Sequence, residues 1–209
     1  TGATEEHNPV DLQAKFVAAT KLDNMQPDIW NNLALLHMAI DKFEGACTVF
    51  ESILQNFAHY NDAVSNCGLS FLCRDYLSEA ARCMQTVILR DSAHLESLNN
   101  YGVVLLRQQY YKNAVVFFEK AIEVDQSQPY VWSNLACAYS GAGRQADAAR
   151  AFMHARELDD TNLQTACNVA SQITTVATEE ADAGARQEKL QQSEHLFSKV
   201  IEDGGHSTQ

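Results

Sequence analysis

No apolar run in these 209 residues approaches the ~18 that a membrane span needs, so membrane insertion is not expected. Basic residues are scarce. Fifteen Lys and Arg stand against 27 Asp and Glu, for a formal net charge of −12. A nucleic-acid surface would want clustered cations, so that class is excluded, and a basic or neutral partner is favoured. The six cysteines form no C-x-x-C pair and give no metal or disulfide framework. They suit small core or groove-wall residues of a reduced, cytoplasmic protein. The G-A-G-R segment at 141–144 follows no strand, so no phosphate loop is present. Of the histidines, His37 falls in an aromatic column, and no other shares a helix face with a nucleophile or acid at a catalytic spacing. No catalytic residue, cofactor or metal is expected.

What is there is a repeat. Pro129 to Asn162 reads as two short amphipathic helices. Trp132, Leu135, Ala136 and Tyr139 share one apolar face; Ala148, Phe152 and Ala155 share the other. Gly141 and Gly143, with Arg144 and Gln145, are expected to break the helix between them. A shift of 34 residues places Tyr101, Gly102, Leu105, Ala114, Phe118 and Ala121 in the same columns. The next shift gives Cys67, Gly68, Phe71, Ala80, Met84 and Val87. The last gives Leu33, Ala34, His37, Ala46, Phe50 and Ile53, with Trp30 leading the block. Four ungapped blocks follow, at 27–60, 61–94, 95–128 and 129–162.

This skeleton resembles the tetratricopeptide repeat family over nearly the whole chain. The resemblance implies an all-α, right-handed superhelical solenoid across 1–209, stabilised by neighbour packing rather than by one globular core. It also implies that first helices line the concave side and second helices the convex side. Pro9 and Asp11 open a helix whose Leu12, Phe16 and Ala19 match second-helix columns, so 9–26 is read as the end of a preceding repeat. The expectation is of a piece of a longer protein with further repeats upstream. Its first residues, TGATEEHNPV, lack a signal-peptide profile. After Asn162 a fifth first helix carries Ala166, Val169, Ala170 and Ile173. Then 11 residues are inserted between Asp182 and Ser193, with Phe197 and Val200 completing the trio. The last repeat, 163–203, is therefore atypical. A longer helix or a loop around Gly184 would precede a capping helix of about 186–202, and a frayed tail would begin at Gly204.

One column points to function. The sixth place of successive blocks is Asn32, Asn66, Asn100, Asn134 and Asn168, five of the chain's thirteen asparagines. The place before it holds Asn31, Ser65, Asn99, Ser133 and Cys167. Asparagine is a mediocre helix former, so propensity does not explain its return. A carboxamide can donate and accept at once, and so can pair with the N–H and C=O of an extended peptide whatever its side chains. The alternative is that the column caps interhelical packing or sits solvated. On a peptide-contact reading, alanine at Asn66 and Asn100 should hardly alter stability.

Four residues before the asparagines stand Asp28, Asp62 and Glu96; three after stand Leu35, Leu69 and Val103. Acid on one wall and apolar surface on the other would suit a segment mixing Lys or Arg with apolar residues. Arg107 is the only basic residue in the mid-chain groove columns, which argues against the Lys/Arg carboxylate clamp of the family's chaperone-binding members. The chain is thus expected to be a scaffold or adaptor that binds an extended segment of another protein. A substrate-recruiting arm of a larger enzyme, and a self-association module, stay open.

Overall fold

The computed structural model describes residues 9–22, 26–57, 59–159, 171, 173 and 183–205. Among these there are ten helices and no strand. The chain divides into two compact units, Thr1–Ser92 and Ala93–Gln209. The first holds α1 (Pro9–Leu22), α2 (Pro27–Ala39), α3 (Phe43–Asn56), α4 (Asn61–Cys73) and α5 (Leu77–Arg90). The second holds α6 (Leu95–Arg107), α7 (Tyr111–Val124), α8 (Pro129–Gly141), α9 (Gln145–Leu158) and α10 (Ala183–Gly205). Asn168 and most of the fifth first helix fall outside the described residues, as do the side chains of Phe197 and Val200.

Each hairpin closes in the same way because each needs one residue with a left-handed backbone. Asp41, Asp75, Gln109 and Gly143 have φ of 57°, 62°, 63° and 77°, and they recur at 34-residue intervals. In the last turn the Gly143 N–H donates to Ser140 O at 3.0 Å and the Arg144 N–H to Tyr139 O at 2.9 Å. The Asp41 and Lys42 amides repeat the pattern onto Met38 O and His37 O. The break thus lies at Gly143 alone. Gly141 ends α8 and lets Tyr111 approach, since a Cβ there would lie 2.4 Å from the ring Cδ1. A left-handed non-glycine residue costs roughly 1–2 kcal/mol, less where a short polar side chain bonds locally. Gln109→Gly is therefore expected to stabilise the second unit by about 0.5–1 kcal/mol, read from the urea midpoint.

The columns found by repetition are the core. Ala46, Ala80, Ala114 and Ala148 are fully buried, as are Phe50, Met84 and Phe118, with Phe152 nearly so. In the first unit Ala34, Phe50, Ile53, Ala63 and Cys67 form one cluster, closed by Trp30, Phe57 and Phe71. Burying each large side chain of this kind contributes about 1.5–3 kcal/mol. Between hairpins the chain uses short polar turns. After α7, the Asp125 carboxylate accepts from Ser127 N–H at 2.9 Å and from Gln128 Nε2 at 2.7 Å. These bonds, Gln128's first, hold the Asp125 carboxyl below its ordinary value. The Arg144 guanidinium, helped by Arg150, does the same for Asp147. A depressed folded-state value adds stability above the unfolded value of about 3.9 and loses it as pH falls below that. Asp125→Asn should therefore lower the neutral plateau of the stability profile and flatten its acid limb, leaving stability at the lowest pH nearly unchanged.

At the carboxyl end the helix is longer than the sequence predicts. It begins at Ala183, so at Gly184 the longer helix is found rather than the loop, and it takes in Gly204 and Gly205, expected in a tail. Good helix formers between Arg186 and Gln192 outweigh the glycines.

Candidate functional site

Within each unit the first helices of consecutive hairpins pack side by side, α2 against α4 and α6 against α8. A residue at a fixed place in the repeat therefore meets the neighbouring helix's copy. This decides how the asparagine column is used. The Asn66 Nδ2 donates to Asn31 Oδ1 at 3.0 Å in the first unit. The Asn134 Nδ2 donates to Asn99 Oδ1 at 2.9 Å in the second, and Asn99 Nδ2 in turn donates to Asn100 Oδ1 at 3.1 Å.

Two layers result. The fifth place is buried, with Asn31 at 8% and Asn99 at 6% exposure. The sixth place lies further out: Asn66, Asn100 and Asn134 are half-buried and Asn32 is exposed. Asn32 makes no side-chain hydrogen bond among the described residues. Asn66 and Asn134 each spend one N–H on the first helix of the preceding hairpin. A carboxamide still holds a second donor and further acceptor capacity, so these residues can bridge helices and present polar edges outward. At the fifth place of α4 the hydroxyl turns inward: Ser65 Oγ donates to the Met84 sulfur at 3.9 Å. The alternation of Asn and Ser at that place was visible in the sequence. That the Asn copies are the acceptors for the next helix was not.

The acidic wall is also put to structural use. Asp28 is exposed and accepts from the Tyr60 hydroxyl at 2.5 Å, tying α2 to the start of α4. Burial and that carboxylate push the Tyr60 phenol above its ordinary value. Asp62 and Glu96 are exposed. The Glu96 Oε2 lies 3.6 Å from His94 Nδ1, but that nitrogen accepts from the Ser97 N–H at 3.3 Å. The imidazole thus caps α6, with the exposed Glu96 carboxylate beside it. Leu35, Leu69 and Val103 are half-buried, and Arg107 is exposed near the end of α6. The first unit therefore gathers Asp28, Asn32, Leu35, Asp62, Asn66 and Leu69 on α2 and α4. The second gathers Glu96, Asn100, Val103 and Arg107 on α6, with Asn134 on α8.

Two details lay beyond sequence reasoning. His37, in the aromatic column, accepts at Nε2 from Gln13 Nε2 at 3.1 Å and has no bonded partner at its buried Nδ1. A Cβ at Gly45 would lie 2.7 Å from that nitrogen, so the imidazole packs where a larger residue on α3 could not. Among the described residues no group of three His, Cys, Asp or Glu could hold a metal, and no helix is long and apolar enough to cross a membrane.

Residues 95–128 match the family model described as tetratricopeptide repeat. Solved structures share the fold. A MamA chain from Desulfovibrio magneticus RS-1 superposes with a TM-score of 0.70 at 15% identity, covering 88% of this chain and 97% of that one. YrrB, described as a tetratricopeptide-repeat protein with an unusual peptide-binding site, gives 0.62 at 15% identity over 90% and 91%. The C-terminal part of a repeat-containing protein from Cytophaga hutchinsonii gives 0.67 at 18% identity over 96% and 76%. At these identities the likeness speaks to fold: an all-α helical-repeat solenoid.

Proposed function

We propose that this chain, a tetratricopeptide-repeat protein and as such a protein-interaction scaffold, holds an extended segment of its partner on the first-helix faces of its hairpins. The observation that carries this reading is the carboxamide at the sixth place of α2, α4, α6 and α8, each with a polar edge outside the core. An extended backbone needs a donor and an acceptor at intervals, and a fixed asparagine supplies both without reading side chains. The peptide-binding site named for YrrB supports the same use of this fold. Asp28, Asp62 and Glu96 beside Leu35, Leu69 and Val103 favour Lys or Arg interleaved with apolar residues, as does the net charge of −12. Among the described residues no disulfide joins the cysteines, which favours a reducing, cytoplasmic setting.

Selection of random twelve-residue peptides displayed on phage tests the proposal. Recovered sequences should be enriched in basic and apolar residues and should bind less tightly as salt is raised. Asn32→Ala should weaken a selected peptide about two- to tenfold, the worth of one hydrogen bond, at an unchanged melting temperature. Peptides without a basic preference, or binding indifferent to Asn32→Ala and Asn100→Ala alike, would remove the first-helix face as the binding site.

A further inference from the structure

The first unit has a second concavity, a cleft of about 450 Å³ built mainly from its second helices. Glu79, Arg82, Cys83, Thr86 and Arg90 stand at three- and four-residue spacing, so one stripe of α5 forms a wall. Leu54 of α3 and Val64 and Phe71 of α4 supply the apolar lining. At about 100° per residue, Val64 and Phe71 lie roughly half a turn around α4 from Asp62, Asn66 and Leu69. The cleft and the asparagine face thus use opposite sides of the same helix.

Charge also separates the two. In a chain of net charge −12, two of the three arginines of the first unit line this cleft. The third, Arg74, is engaged with Glu44 at 3.4 Å. Arg82 and Arg90 are exposed, and Arg82 makes no side-chain hydrogen bond or ion pair among the described residues. Glu79 is the one acid among the lining residues. It is half-buried in the first turn of α5, where the positive end of the helix offsets its charge.

We propose that this cleft docks a partner segment in which apolar residues are flanked by Asp or Glu, the charge opposite to that favoured on the asparagine face. Its apolar side chains fill the space beside Leu54 and Phe71. Arg82 and Arg90 are about 12 Å apart along the helix, and each presents a planar fork that matches a carboxylate's two oxygens. Carboxylates about two helical turns apart on an amphipathic helix, or about four residues apart on an extended segment, meet both. A scaffold with two faces of opposite charge preference holds two unlike segments across α4.

Selection of displayed twelve-residue peptides on the full chain, followed by affinity measurements on single peptides, tests this. The expected result is an acidic and apolar class whose binding Asn32→Ala leaves unchanged. Arg82→Glu with Arg90→Glu should weaken that class roughly tenfold or more, and Arg82→Lys with Arg90→Lys should weaken it less. Melting temperatures of both double variants check that the fold is kept. On the wild type, a bound acidic peptide should slow alkylation of Cys83 several-fold, read by mass mapping, and leave exposed Cys73 unaffected. The proposal is overturned if no acidic class is recovered, if that class binds the glutamate variant equally well, or if Cys83 alkylates at an unchanged rate. Cys83 protection that grows with protein concentration in the absence of peptide would assign the cleft to a second copy of the chain and overturn it too. Basic and acidic classes are scored separately, so failure on one face is distinguishable from failure on the other.

Discussion

Phe118→Ala is expected to destabilise the second unit by about 3–5 kcal/mol, seen as a lower urea midpoint and an earlier thermal transition. Phe118 is fully buried on α7, and its ring lies where a side chain at position 102 would be. A Cβ on Gly102 would sit 2.6 Å from Phe118 Cε1, so α6 and α7 meet ring against bare backbone. Removing the ring forfeits its transfer free energy and leaves a hole that two packed helices close only in part. Gly102→Ala alone should also destabilise, by about 1–3 kcal/mol, because the added methyl overfills the contact. In the Phe118→Ala background the same methyl enters vacated space, so the double variant should be more stable than the two single losses predict. Strict additivity would mean that ring and glycine do not share a contact. Phe117→Ala is the control: half-buried, with Tyr101 edge-on at 4.7 Å between centroids, it should cost less.

The second large effect is expected where function and packing share residues. Asn134→Ala removes the donor to Asn99 Oδ1, and Asn99 is only 6% exposed. An acceptor left unpaired in such a place costs about 1–3 kcal/mol. Asn66→Ala orphans Asn31 in the same way, so the expectation that this column could be exchanged at no cost in stability holds only for Asn32. Pairing Asn134→Ala with Asn99→Leu should recover part of the loss, since neither helix then buries an unmatched polar atom. Asn32→Ala should change stability by less than about 0.5 kcal/mol. Thermal unfolding of the set, read beside peptide affinity, separates the two uses. A variant weak in binding but normal in stability acts on the partner, and one weak in both acts through the helix pair.

Much of the architecture is legible in the residues because the repeat is ungapped. A period of 34 set by Ala46, Ala80, Ala114 and Ala148 names the hairpins, and the burial of those alanines follows from their spacing. Helix bounds such as Phe43–Asn56 come from the apolar stripe and the turn that precedes it. The hairpin break at Gly143 was legible only as one of two glycines. Choosing between them required knowing that Tyr111 rests against Gly141, which is a contact between hairpins. The site was half legible. The asparagine column is plain in the sequence, but its inward partner layer is not, because Asn31 and Asn66 lie 35 positions apart in the chain.

By itself, then, the sequence determined the helical period, the identity of the core columns, the acidic balance and the recurrence of a carboxamide on one face. These are properties of residue type and spacing, and local chemistry is enough to read them. Only the tertiary structure decided which polar groups are spent on one another: Asn134 on Asn99, Asn66 on Asn31, Tyr60 on Asp28. Packing one hairpin on the next brings together groups that spacing leaves apart, and a polar atom shut away from water must take whatever partner that packing presents.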